Sequence, residues 1–115
     1  MDGHHPMQIP TYQDMLAAHE RIRPYIHRTP VLTSSYFNER TGAELFFKCE
    51  NFQKAGAFKV RGACNAVFGL SDEDARKGVA THSSGNHALS LSYAAGRRGI
   101  PCTVVMPRTA HLLAA

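Results

Sequence analysis

An α/β fold built on a parallel, three-layer sheet is predicted by three features of this 115-residue sequence. Helical periodicities alternate with short apolar runs in the order helix, strand, helix, strand, helix, strand. The apolar run at 79–82 passes through a Gly-bearing turn into an Ala- and Leu-rich helix and then into a β-branched run at 102–106, the pattern of a parallel strand–helix–strand crossover. Two polar turns, Gly56 to Gly62 and His82 to His87, fall beyond the carboxyl ends of predicted strands, where open parallel sheets bind ligands.

Residues 1–10 form a polar arm ending at Pro10, with His4 and His5 in a frayed tail. Thr11 is the cap of a first helix, with Asp14 at its third position and Tyr12, Met15, Leu16, His19 and Ile22 at helical spacing. Pro24 ends that helix near Arg23, because it disfavours helical geometry in the residue before it. Residues 24–33 are extended, and Ser34 or Ser35 caps a short helix through Arg40 that Gly42 terminates. Residues 44–50 form a strand carrying Leu45, Phe46 and Phe47, and 51–57 a polar turn.

A long helix over 58–70 buries Val60, Ala63, Cys64, Val67 and Phe68, followed by a short acidic helix opened by Ser71 and Asp72 and closed near Gly78. Val79 to His82 reads as a short buried strand, 86–98 as a helix with Gly99 just past its end, and 102–106 as a strand between Pro101 and Pro107. From Thr109 the first turns of a further helix begin. A sheet of so few strands leaves apolar faces uncovered, which points to a fragment of a larger protein.

A hydrophobic fraction of 43% is that of a globular chain, and the net charge of +4 is scattered rather than gathered in a basic stripe with aromatics, which argues against nucleic-acid binding. No apolar run approaches the ~20 residues needed to span a bilayer, and there is no signal peptide, so a soluble cytoplasmic location is expected. The three cysteines, Cys49, Cys64 and Cys102, are odd in number and lie in apolar runs, as buried reduced thiols do. No histidine spacing fits a zinc site, and no P-loop, G-x-G-x-x-G or G-x-S-x-G motif is present.

The chemistry concentrates in the two turns. In His82-Ser83-Ser84-Gly85-Asn86-His87, hydroxyls and a carboxamide surround a helix start, where free backbone N–H groups and the positive end of the helix dipole attract an anion. In Gly56-Ala57-Phe58-Lys59-Val60-Arg61-Gly62, a lysine occupies a first helical turn, where the dipole opposes an ammonium and favours the nucleophilic amine. Together they suggest carbonyl or Schiff-base chemistry on an acidic ligand. On residues alone, Lys59 reads more readily as a surface lysine, and the other turn as either an anion site or a generously capped helix.

The run from Phe46 to Ala63, FFKCENFQKAGAFKVRGA, followed by Thr81-His82-Ser83-Ser84-Gly85-Asn86-His87, resembles the pyridoxal-phosphate enzymes of fold type II, in the serine racemase and serine/threonine dehydratase branch. The likeness extends over residues 11–109. It implies part of a tryptophan synthase β-like fold, with 11–74 in a large domain and 75–115 beginning a small one. It implies that Lys59 carries pyridoxal phosphate as a Schiff base and then takes the substrate α-proton. Phe58 packs beside the cofactor ring, Asn86 bonds the ring hydroxyl, and Ser83, Ser84, Gly85, Asn86 and His87 hold the substrate α-carboxylate. Loss of a β-hydroxyl then yields a keto acid and ammonia.

By the same resemblance, Ser84 is the proton donor opposite the lysine. It tilts the expectation toward a serine racemase or a serine or 3-hydroxyaspartate dehydratase, since biosynthetic threonine dehydratases commonly carry alanine there. Eukaryotic racemases of this branch also bind ATP at a dimer interface, which implies a homodimer with ATP and a divalent cation such as Mg as effectors of the intact protein. The positions matching the nucleotide contacts are Ser34, Ser35, Tyr36 and Lys54, but Ala55 and Leu89 depart from that pattern, as does His111 where a proline is usual. The phosphate-gripping loop, the group facing the pyridine nitrogen and the cation ligands are expected beyond residue 115. The rival expectation is a catalytically silent anion-binding or interaction module.

Overall fold

In the computed structural model, residues 7–110 are described. Most of the expected N-terminal arm, and the helix expected after Thr109 from His111 onward, lie outside them. Helix α1 (Tyr12–Ile22) opens with a reciprocal cap: Thr11 Oγ1 accepts the Asp14 N–H at 3.2 Å while Asp14 Oδ2 accepts the Thr11 N–H at 2.7 Å. Pro24 lies in a 3-10 turn, Arg23–Tyr25, that ends the helix. Strand β1 (Val31–Thr33) leads to α2 (Ser35–Thr41), which Ser34 caps and which ends at Gly42 in the left-handed region. Strand β2 (Phe46–Lys48) is followed by two 3-10 turns, Glu50–Phe52 and Lys54–Gly56.

Helix α3 (Lys59–Gly69), the short α4 (Asp72–Arg76), β3 (Val79–His82), α5 (Asn86–Arg98) and β4 (Cys102–Val105) complete the described chain. Helices α3 and α5 pack most extensively, with α1 against α3. Ile22, Val60, Ala63, Cys64, Val67, Leu91 and Ala94 form the core between them. The Tyr25 and Phe68 rings stack at 3.8 Å over its edge, and the Tyr93 hydroxyl donates to the Tyr25 carbonyl. Arg98 donates to the carbonyls of Val67 and Leu70 at the end of α3, the first of which also accepts the Leu70 N–H at 3.4 Å.

The α/β alternation is observed, and the crossover is parallel, with Val79 opposite Cys102 and His82 opposite Val105. A single parallel sheet is not: β1 and β2 pair antiparallel, Val31 opposite Lys48 and Thr33 opposite Phe46, and the two pairs are separate among the described residues. The β3–β4 connection runs through the 13-residue α5, which rises about 20 Å, and the β1–β2 connection through the 7-residue α2, which rises about 10 Å and ends at Gly42.

Strand β3 is half-buried in alternation rather than buried, because only one of its faces meets α5. Cys64 is buried, and burial pushes its thiol up, whereas Cys49 and Cys102 are only half-buried; all three are free. The apolar stripe of α1 is covered only at Ile22, with Tyr12, Met15 and Leu16 exposed, because α3 meets just part of that helix. Phe46 is 68% exposed, and Val31, Leu32 and Phe47 are exposed with it. The radius of gyration is 17.5 Å, well above the about 13 Å of a compact chain of this length, so the elements form an open shape around one small core.

Candidate active site

The start of α5 stands at the carboxyl end of β3. Ser83 N–H donates to the Val105 carbonyl at 3.1 Å, which extends the β3–β4 ladder by one bond before the chain turns. Ser83 Oγ then accepts the N–H groups of Gly85 at 3.3 Å and Ala88 at 3.2 Å, so this hydroxyl caps the helix. Among the described residues, the backbone N–H groups of Ser84, Asn86 and His87 find no protein acceptor. Helix α5 is long enough for its dipole to add to the attraction of those donors for an anion. The Ser84 and Asn86 side chains are exposed, and Gly85 is half-buried with no atom within 4 Å of a built Cβ, so the turn is open on that side.

A cavity of about 550 Å³ lies here, lined by His82, Ser83, Ser84, Val105, Met106 and Pro107. It occupies the place beyond the strand ends where ligands of open α/β sheets bind. His87 is half-buried where α5 meets α3. It lines, with Gly62, a second cavity of about 270 Å³. Arg98 at the end of α5 bonds carbonyls at the end of α3, so the two helix starts lie at the same end of their interface.

Lys59 is the first residue of α3 and is exposed, and the preceding Phe58 is 63% exposed. The turn before it is held by a polar network that sequence reasoning missed. Arg61 pairs with Glu50 through two guanidinium nitrogens, Nη2 standing 3.0 Å from Oε2 and Nε bonded to Oε1. Buried Thr29 donates to Glu50 Oε2 at 2.6 Å, and Lys48 donates to the Thr29 carbonyl at 2.7 Å. The Arg61 hydrogen bonds, against the opposing pull of burial, and then the Thr29 bond bring the Glu50 carboxyl down to about 2. Buried Gln53 holds the backbone of His27 from both sides, accepting its N–H at 2.8 Å and donating to its carbonyl at 2.8 Å.

The expected nucleotide residues are not joined by any hydrogen bond among the described residues. Ser34 spends its hydroxyl capping α2, accepting the Phe37 N–H at 3.3 Å. Ser35 begins α2, the exposed Tyr36 lies under the Arg40 guanidinium at 5.5 Å, and Lys54 sits in the second 3-10 turn. No group of three or more His, Cys, Asp or Glu among the described residues is arranged to hold a metal ion. Among the described residues, no helix is long and apolar enough to cross a membrane.

Residues 22–113 match the family model of pyridoxal-phosphate dependent enzymes. The chain belongs to that family. It is 78% identical over 104 residues to a beta-hydroxyaspartate dehydratase of Paracoccus denitrificans, covering 90% of this chain and 33% of that protein. It is 58% identical over 105 residues to a serine racemase of Dictyostelium discoideum, covering 91% of this chain and 32% of that protein. The crystal structure of a serine racemase from Dictyostelium discoideum superposes with a TM-score of 0.85 at 57% identity, over 88% of this chain and 33% of that one. The chain thus spans about a third of the length of the relatives it matches. The resemblance in the two motifs and the fold type II architecture are both upheld by these likenesses.

For a pyridoxal-phosphate enzyme, the donor set is chemically suitable. An exposed amine begins one helix, and free N–H donors with a carboxamide begin the other. The Glu50, Gln53, Thr29 and Arg61 network had a faint sequence signal, a charged pair flanking the polar turn, but nothing local to say that the two would meet.

Proposed function

We propose that the whole protein catalyses pyridoxal-phosphate-dependent β-elimination from a β-hydroxy amino acid, with racemisation as the competing outcome. The observation that carries the reading is the start of α5, whose unpaired N–H donors suit a substrate α-carboxylate without an arginine. Among substrates, 3-hydroxyaspartate comes first, because identity to the dehydratase is 78% against 58% to the serine racemase. Serine or threonine is the second reading, supported by several serine racemases among the relatives and by Ser84.

In this reading Lys59 would hold the cofactor through its amine and, once displaced by the incoming substrate amine, its free amine would take the proton from the substrate Cα. Pyridoxal phosphate, when bound, supplies an electron-withdrawing ring that stabilises negative charge at Cα. Phe58 offers an apolar face beside Lys59, and Asn86 offers its carboxamide to the cofactor hydroxyl. The N–H groups of Ser84, Asn86 and His87, across the flexible Gly85, bind the α-carboxylate, while Ser83 shapes the turn that presents them. Ser84 Oγ returns a proton to Cα when racemisation occurs; elimination needs no such donor.

The resemblance further supports a cytoplasmic homodimer, with 11–74 and 75–115 contributing to a large and a small domain. Regulation by Mg and ATP belongs to the same family pattern. The positions for the nucleotide are Ser34, Ser35, Tyr36 and Lys54, and of these Ser34 has a structural role as the cap of α2.

The test is to purify the whole protein, record its cofactor absorbance, and assay keto acid and ammonia from 3-hydroxyaspartate, serine and threonine. Cofactor linkage lost in Lys59→Ala, with turnover highest on 3-hydroxyaspartate, is expected. Linkage that survives Lys59→Ala overturns the lysine assignment, and turnover confined to serine moves the substrate to the second reading.

A further inference from the structure

Four polar side chains that the proposed chemistry does not use converge on the chain leading into Lys59. The Glu50–Arg61 pair ties together two points eleven residues apart, one opening the first 3-10 turn and the other in the first turn of α3. Lys59 lies inside that loop. Thr29, 5% exposed, fixes Glu50 to the chain entering β1, and Gln53, 4% exposed, bonds both backbone groups of His27.

The held segment is contorted. Ala55 has φ 60° and Gly56 φ 70°, two consecutive left-handed residues, one of which is not glycine. Such a conformation persists only where its surroundings over-determine it. Here Gln53 supplies the restraint twice, its Oε1 accepting the Lys54 N–H at 2.9 Å and its carbonyl accepting the Gly56 N–H at 2.9 Å. The Glu50 carbonyl accepts the Gln53 N–H at 3.1 Å, which passes the anchoring of Glu50 directly into the second turn.

From these contacts we infer that Glu50, Arg61 and Gln53 are positioning residues for Lys59, fixing the lysine at the start of α3 before the cofactor arrives. The inference deepens the proposed function and rests on its assignment of Lys59. The carboxylate stays charged at any working pH, because Arg61 and Thr29 hold its pKa far below the usual range. The guanidinium needs both of its bonded nitrogens to set an orientation, which a lysine at this position does not reproduce.

The experiment uses the whole protein, stripped of cofactor and then refilled with pyridoxal phosphate. Amide hydrogen exchange is measured on the stripped form, and borohydride-trapped pyridoxyl groups are mapped to peptides during refilling. In Glu50→Gln, exchange at Phe52, Gln53 and Gly56 is expected to rise about tenfold with α5 amides unchanged, and capture at Lys59 to slow about tenfold. Arg61→Lys, which keeps the charge, is expected not to rescue either readout. Should Glu50→Gln fail to fold, Thr29→Val removes a single bond and is read in the same way, with effects of about threefold. Wild-type capture at Lys59 that is unchanged in the variants overturns this inference alone. A wild-type adduct elsewhere overturns the Lys59 assignment and this inference with it.

Discussion

Gly78 runs so close to Pro101 that a Cβ built on it stands 2.8 Å from the Pro101 carbonyl oxygen. The same carbonyl accepts the Val79 N–H at 2.9 Å, so this contact sets the start of the parallel β3–β4 pair. Gly78 also has φ 84°. Gly78→Ala is therefore expected to cost about 3 kcal/mol, from left-handed strain and a backbone collision together. Gly99, at φ 74° with open space around it, isolates the first contribution. Gly99→Ala should cost about 1 kcal/mol in urea unfolding, and equal losses at the two sites would remove the collision from the account.

Acid should weaken the Glu50–Arg61 pair. The folded carboxyl titrates at about 2 against an ordinary 4.5. A lowered folded pKa gives stability that is present above pH 4.5 and is lost as pH falls toward 2. The Arg61 side chain is 30% exposed, and solvent screening discounts the ideal value to about 2 kcal/mol. Urea midpoints recorded from pH 6 to pH 2 should fall less steeply in Glu50→Gln than in the wild type, and parallel curves would refute the assignment.

Ala55 carries left-handed strain without being glycine. Ala55→Gly is expected to be neutral or stabilising by up to about 1 kcal/mol, since relief of strain competes with added freedom of the unfolded chain. Ala55→Val should destabilise by about 1–2 kcal/mol, because a β-branched residue tolerates that region poorly. Thermal unfolding of both variants checks the opposite signs.

Adjacent serines should separate stability from chemistry. Ser83→Ala removes the acceptor for two N–H groups at the start of α5 and should cost about 1 kcal/mol. Ser84→Ala touches no such bond and should leave the unfolding midpoint within about 0.5 kcal/mol. In the whole protein, Ser84→Ala is expected to abolish racemisation, followed by chiral analysis of unreacted substrate, while keto acid still forms. Undiminished racemisation would show that another group supplies the proton.

Local chemistry was legible wherever its cause was local. Thr11 with Asp14, Ser34 with Gly42, Ser71, and Gly99 all mark helix ends in the sequence and cap or end those helices in the structure, because each partner lies within four residues. The periodicity of Val60, Ala63, Cys64 and Val67 likewise declared the buried face of α3. Both motifs announced the family, since Lys59 and the Ser83–His87 turn carry their residue types in contiguous runs.

What the tertiary structure decided depends on partners far apart in the chain. The apolar residues of β1 and β2 fit a parallel sheet as well as an antiparallel pair, and the pairing of Val31 with Lys48 and Thr33 with Phe46 made it the second. Thr29, Glu50, Gln53 and Arg61 are ordinary polar residues one by one, and only the fold brings a carboxylate, a guanidinium and two buried side chains onto the turn before Lys59. Sequence determined the helix ends, the buried face of α3 and the family, because short-range sterics and hydrogen bonds suffice for them. Orientation of the strands and the grip on the lysine turn waited for packing, which pays the entropy of joining distant segments only when the whole set of contacts forms together.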